Sequence, residues 1–274
     1  MFRFSTRVVL LLAVSLSGVA AGGGLAFGEN PHIDNSLEAI GEDFRVDNAV
    51  FAGDKKEPIS QSVTIFHEGI VYDCMTKPAE TVVFDGTMKR FVLLNMEDGT
   101  RAELSTREVT SSLSRYERLL KEMIAKKPDA LSQFMADPKF QEQFDESAGK
   151  VTLSSPLVNY TLVLSPGRDD AAAGQYRDFS DWYARLNVLL TPRALPPFGR
   201  LAVNAAVAKR KAIPSQVTLT ITSAKSGKRQ TIRSTHRVVR PLTAADIQQV
   251  DRIRKAMTDF KPVDFEKYRK GEMK

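Results

Sequence analysis

The sequence predicts an α+β fold: one strongly curved antiparallel β-sheet with helices packed against its concave face. Three observations carry this. Short apolar runs separated by tight-turn pairs fill 44–104. The apolar period then switches from two to 3.6 at three places, near 105, 171 and 243. Between those helical stretches the period-two pattern returns, at 151–164 and 217–239. Helices that interrupt an antiparallel meander bury their apolar stripe on a face of it.

The elements follow in order. A first strand is expected over 44–51, then a hairpin of 62–67 and 70–75 joined at Glu68-Gly69. Strands at 81–84, 90–96 and 101–104 follow, with Asp85-Gly86 and Asp98-Gly99 as turns. Connections this short make consecutive strands spatial neighbours. Ser105 and Glu108 have the spacing of a capping box, so a helix starts there. Its stripe is Val109, Leu113, Tyr116, Leu120 and Met123, and Pro128 stops it. A short helix is expected over 129–136, then strands at 151–153 and 158–164. Residues 171–190 read as helix, with Tyr176, Phe179, Tyr183, Leu186 and Leu190 on one side and Trp182 beside them. Residues 200–212 suit either state: their alanines favour helix, while Leu201 and Val203 also suit a strand. A hairpin of 217–222 and 230–239 turns at Ser226-Gly227. Thr243 and Asp246 cap a last helix with Ile247, Val250, Ile253 and Met257 as its stripe.

The expected organisation is a signal peptide at 1–26, a linker at 27–43, one domain over 44–260 and a charged, frayed tail at 261–274. Arg3 and Arg7 precede an apolar stretch over 8–21 that is short and rich in small residues, which is the pattern of a secretory leader. Val19-Ala20-Ala21 and Gly24-Leu25-Ala26 both suit cleavage. No cysteine lies near them, so no lipid anchor is indicated, and no later run approaches the roughly 18 apolar residues of a membrane span. The expected location is periplasmic or extracellular. Apolar residues make up 42% and charged residues 26% of the 274, which excludes a disordered chain. A single cysteine, Cys74, excludes a disulfide scaffold and leaves stability to the core.

The runs Thr81-Val82-Val83-Phe84-Asp85, Arg90-Phe91-Val92-Leu93-Leu94-Asn95 and Arg101-Ala102-Glu103-Leu104 resemble exported bacterial proteins of the outer-membrane lipoprotein carrier superfamily. The resemblance covers roughly 44–125 and lies in hydrophobicity and turns. It implies an unclosed half-barrel covered by helices, bacterial origin, and a cavity that holds an acyl chain or another apolar ligand. Tyr116, Leu120 and Met123 on one helix, and Phe179, Trp182, Tyr183 and Leu186 on another, are then the ligand-lining residues. The plainer alternative is that both stripes are core.

No catalytic motif is present. His32, His67 and His236 form no metal-ligand spacing, and no Gly-x-Ser-x-Gly elbow or phosphate loop occurs. No cofactor and no metal are indicated. If Glu68-Gly69 is the turn, His67 pairs with Ile70 and Cys74 with Val63, about 13 Å apart along the ladder, so they form no thiolate pair. Cys74 then shares a face with Ile70 and Tyr72 and reads as a buried, inert thiol.

Charge is unevenly distributed. Residues 200–274 hold 18 Lys+Arg against 6 Asp+Glu, a net of +12, while 27–199 hold 19 against 27, a net of −8. Arg229, Arg233 and Arg237 share one strand face with Thr231 and Thr235, and Lys225, Lys228 and Arg240 extend the strip. An anionic lipid or envelope polymer is the partner it suits. Without interleaved aromatics it does not suit nucleic acid. The bland alternative is a solvated face neutralised by the acidic first part of the chain.

The functional expectation is therefore an exported, non-catalytic protein carrying an apolar, lipid-like or lipoprotein ligand between sheet and helices. The alternatives are an envelope-associated protein that uses the basic hairpin and, with no motif behind it, a hydrolase.

Overall fold

A computed structural model describes residues 41–165, 170–191 and 194–271. The leader and most of the linker lie outside these residues. The fold is the expected one: among the described residues, a large curved, unclosed, mostly antiparallel sheet of twelve strands with six helices.

The first six strands form a meander: β1 (Phe44–Ala52), β2 (Ser60–His67), β3 (Ile70–Met75), β4 (Glu80–Asp85), β5 (Arg90–Asn95) and β6 (Thr100–Ser105). Glu68 and Gly69 both have positive φ, 53° and 73°, the signature of a two-residue type I′ turn. The register follows from that turn, and His67 pairs with Ile70 and Val63 with Cys74 as expected. Then come α1 (Thr106–Lys126), α2 (Ala130–Ala136), β7 (Gln141–Asp145), β8 (Lys150–Ser154), β9 (Val158–Leu164), α3 (Asp170–Leu190) and α4 (Phe198–Ala208). The ambiguous stretch from 200 is thus helical. The hairpin β10 (Pro214–Thr222) and β11 (Arg229–Val239) inserts between β9 and β1, giving the order β12-β6-β5-β4-β3-β2-β1-β11-β10-β9-β8-β7. The last elements are α5 (Ala244–Asp259), β12 (Lys261–Pro262) and α6 (Phe265–Lys270).

Both capping boxes form. Ser105 accepts from the Glu108 amide, and the Glu108 carboxylate accepts from the Ser105 amide. Thr243 and Asp246 do the same at the start of α5.

The two halves of the sheet are covered differently. On the concave face of β1–β6, α3 lays Phe179, Tyr183 and Leu186 onto Phe66, Phe84, Phe91 and Leu93. On the opposite face α5 lays Val250, Ile253 and Ala256 onto Tyr72, Val83, Val92 and Leu94. Strands buried on both faces read as continuous apolar runs, hence Val82-Val83-Phe84 and Phe91-Val92-Leu93-Leu94. The β8–β10 half is covered on the concave face only, by α2 and α4 through Met135, Val203, Ala206 and Val207. Its strands alternate, with Val217, Leu219 and Ile221 in and Thr218, Thr220 and Thr222 out.

One expectation needs correcting. The chain from Lys261 is not a free tail up to the last described residue. Lys261 and Pro262 pair in parallel with Thr100 and Arg101 of β6. Asp264 then caps α6, which delivers Tyr268 into the core beside β6. Buried Tyr268, with half-buried Val263 and Phe265 beside it, anchors this otherwise charged segment.

Candidate functional site

Among the described residues, two of the places that gather polar or charged groups around open space bear cations without a carboxylate partner. The first is a groove of about 760 Å³ where the α1–α2 corner meets the tip of the β10–β11 hairpin. Its apolar lining comes from Met123, Ile124, Leu131 and Ile221. Its cations are Lys127, Lys225 and Lys228, set against one carboxylate, Asp129. Asp129 is occupied: it caps α2, accepting from the Ser132 amide at 3.0 Å. The three lysines are exposed, and none has a carboxylate within ion-pair distance among the described residues. The volume lies within the range of about 300–1,000 Å³ usual for small-molecule sites.

Local sequence explains the geometry. Pro128 ends α1 and Asp129 starts α2, so the chain turns sharply there. That turn leaves Met123 beyond the stripe that α1 buries, and Met123 is 38% exposed. The hairpin tip, 223–228, carries only small and basic side chains and does not close over the opening.

The second place is a polar seam on the concave face, crossing β11, β1, β2 and β3. The Ser234 hydroxyl lies 3.1 Å from His236 Nε2, and His236 Nδ1 lies 2.8 Å from Asn48 Oδ1. Asn48 Nδ2 donates to Thr64 Oγ1 at 2.8 Å, and Thr64 Oγ1 donates to Asp73 Oδ1 at 2.7 Å. With Ser234 donating to Nε2, every bond points the same way and the chain ends on a buried carboxylate. Ser62 and Tyr183 also lie near Asp73, yet Oδ2 closes no hydrogen bond among the described residues. Burial pushes the Asp73 carboxyl up to about 6 and drives the His236 imidazole down to about 3. A partly open cavity of about 40 Å³ lies over this seam.

Ser234, His236 and Asn48 have the distances of a nucleophile, a base and an orienting amide. Burial, with Arg200 adding repulsion, holds the imidazole neutral and makes it a weak proton acceptor near pH 7. The space above it holds about three waters, at roughly 10–15 Å³ each.

The structure scatters the residues expected to line a ligand. Phe179, Tyr183 and Leu186 are buried in the core between α3 and the sheet, and Phe179 and Tyr183 also border the small polar cavity. Trp182 packs at the edge of that core, 6.3 Å from the Phe84 ring. Leu120 is buried, Tyr116 half-buried, and only Met123 of the seven lines the groove. Aromatic side chains from β2, β4 and β5 fill the space beneath α3, so the stripe packs as core there.

The basic strip divides as well. The outer face of β11 carries Arg229, Arg233 and Arg237 in register, as expected. Arg237 pairs with Asp47 directly across β1 at 2.5 Å, and Arg240 lies 3.9 Å from Glu42. Arg233 stacks over Phe51 at 4.1 Å. Neutralisation by the acidic first part of the chain thus reaches the β1 end of the strip. At the hairpin end, Lys225, Lys228 and Arg229 make no ion pair among the described residues.

Cys74 sits under α5, and burial beside Asp73 pushes its thiol up to about 12. His67 lies at the other end of the hairpin, 2.6 Å from Asp43. No cluster of three metal-ligating side chains occurs among the described residues, and no described helix is long and apolar enough to cross a membrane. Sequence reasoning missed Lys127, Ile124 and Leu131, and missed the Asn48–His236 contact, whose partners are 188 residues apart. The only available signal was Pro128-Asp129, a helix stop directly followed by a helix start. No protein-family model matches the chain, and no curated protein matches it.

Proposed function

We propose that this is an exported protein that binds an amphipathic anion, a single apolar chain bearing a carboxylate or phosphate head, in the groove between the α1–α2 corner and the β10–β11 hairpin. The observation that carries this reading is one groove with an apolar floor and a cationic rim. Met123, Ile124, Leu131 and Ile221 offer the tail a surface from which water is displaced. Lys127, Lys225 and Lys228 offer the head three ammonium groups with no competing ion pair among the described residues. The carrier-like meander at 44–125 and the leader agree with such a role, and Met123, one of the expected ligand-lining residues, borders this groove.

The test is displacement of a fluorescent fatty-acid analogue from the purified protein. Dodecyl phosphate and laurate should displace it, and dodecanol, with the same tail and no charge, should do so at least tenfold less well. A triple variant K127Q/K225Q/K228Q should lose most of that preference, and Leu131→Asp should weaken all three ligands. Absence of displacement, or equal displacement by dodecanol, contradicts the reading.

A second reading rests on a different observation. Among the described residues, no helix covers the outer face of the β7–β11 half, and Arg229 and Arg233 point onto it. This face suits an anionic membrane surface. Replacing Arg229, Arg233 and Arg237 by Gln should then abolish salt-sensitive binding to anionic vesicles; unchanged binding leaves the strip a solvated face.

A further inference from the structure

Arg200 poses a separate question. It lies in the first turn of α4, half-buried, and borders the cavity over the polar seam. The cavity lining is otherwise uncharged: Tyr176, Ser180, Ser234, His236 and Asn48 supply its polar groups. Arg200 makes no ion pair with any described carboxylate: Asp73 lies behind Thr64, and Asp181 accepts from Asn204 at 2.7 Å and pairs with Arg177. Tyr176 stands beside the guanidinium, and the positive charge is felt at both Tyr176 and His236.

A guanidinium drawn partly out of water without a compensating partner is costly. The other half-buried arginines have one: Arg45, Arg90, Arg101, Arg210, Arg254 and Arg269 pair with carboxylates, and Arg185 and Arg233 stack on the Trp182 and Phe51 rings. Arg200 instead faces a partly open space of about 40 Å³ rimmed by hydroxyls. That space matches about three waters, which is also the room taken by a carboxylate or another small oxyanion. The planar fork of arginine pairs with such groups through two parallel bonds, and Ser180 can donate a further one.

We propose that the Arg200 cavity is a binding site for a small oxyanion, with a monocarboxylate such as acetate as the best fit. It shares no lining residue with the hairpin groove, so it neither requires nor is required by the amphiphile site.

The experiment follows 13C-carboxyl-labelled acetate by NMR, and thermal unfolding, at constant ionic strength with chloride as the balancing ion. Wild-type protein should bind one acetate saturably, with a Kd of about 0.05–10 mM, the range that some four heavy atoms can support. Arg200→Gln should weaken binding at least tenfold, and Arg200→Lys should retain part of it. The groove variant K127Q/K225Q/K228Q should bind acetate as the wild type does. If Arg200→Gln does not fold, the variant Ser180→Ala, which keeps the charge, should weaken acetate severalfold. Phosphate run in parallel separates a carboxylate site from a general oxyanion site. Non-saturable response in the wild type, or saturable binding unaltered in the variants that fold, overturns the proposal.

Discussion

The β1–β6 half and the β7–β11 half share one sheet but solve burial differently. The first is clamped between α3 and α5, so both faces of its central strands are apolar. The second is covered on one face, and its outer surface is a lawn of Thr, Asn, Gln and Arg side chains. In the clamped half, aromatic side chains of β2, β4 and β5 fill the space beneath α3, and what opens under that helix is a small polar cavity at its β1 edge. The single-covered half keeps both the groove at its hairpin tip and the bare basic face. Stability resides chiefly in one half, and candidate recognition surfaces in the other. The polar seam with the Arg200 cavity lies along their junction, where β1 meets β11.

The largest test of this contrast is truncation of a side chain in each half. Phe91→Ala should destabilise by about 3–5 kcal/mol, because it removes a fully buried ring from the clamped half. Thr220→Ala, on the open face of β10 opposite Thr231, should change stability by no more than about 1 kcal/mol. Urea unfolding measures both. Similar costs would break the contrast.

The seam predicts a distinctive pH response. Asp73 rises from 3.8 to about 6 on folding, so its contribution is fully present below 3.8 and is lost as pH rises through 6. His236 falls from 6.5 to about 3, so its contribution is present above 6.5 and is lost as pH falls toward 3. Between pH 4 and 6 the unfolded chain holds Asp73 ionised and His236 protonated, while the folded chain holds both neutral. Folding in effect moves one proton from the imidazole to the carboxyl, and the two dependences cancel. Asp73→Asn should therefore expose a stability that rises with pH by about 1.4 kcal/mol per unit across this window. His236→Gln should expose a falling slope of similar size. Urea midpoints at pH 4, 5 and 6 for the three proteins check this, and parallel curves contradict it.

Smaller effects sharpen the boundary between the halves. Ser105→Ala and Thr243→Ala each remove a capping box, and each should cost about 1 kcal/mol by urea unfolding. Arg237→Gln breaks an exposed pair with Asp47 and should cost less than about 0.5 kcal/mol, its effect appearing only in vesicle binding.

Most of the fold was legible because its signals are local. Glu68-Gly69 sets a register, Ser105 and Glu108 start a helix, and alternation over 158–164 marks a half-buried strand. What stayed hidden lacked a local signal. Gln141–Asp145 forms a fully exposed edge strand with no apolar alternation, so nothing marked it. Residues 261–270 look like a charged tail because only Val263, Phe265 and Tyr268, scattered among charges without a period, do the anchoring. The basic strip was readable since its arginines share one strand. The groove was not, because Lys127 and Lys228 meet only through the crossing of α1–α2 over the hairpin. The aromatic stripe of α3 misled for a related reason: sequence shows which face is apolar, but not whether the opposing strands leave space beneath it.

The central claim is that recognition occurs at the hairpin end of the single-covered half. Hydrogen-exchange mass spectrometry with and without dodecyl phosphate, below its micelle concentration, tests it most directly. The account predicts new protection confined to 123–132 and 221–230, with β1–β6 and α5 unchanged. Protection beneath α3, or none anywhere, would contradict it.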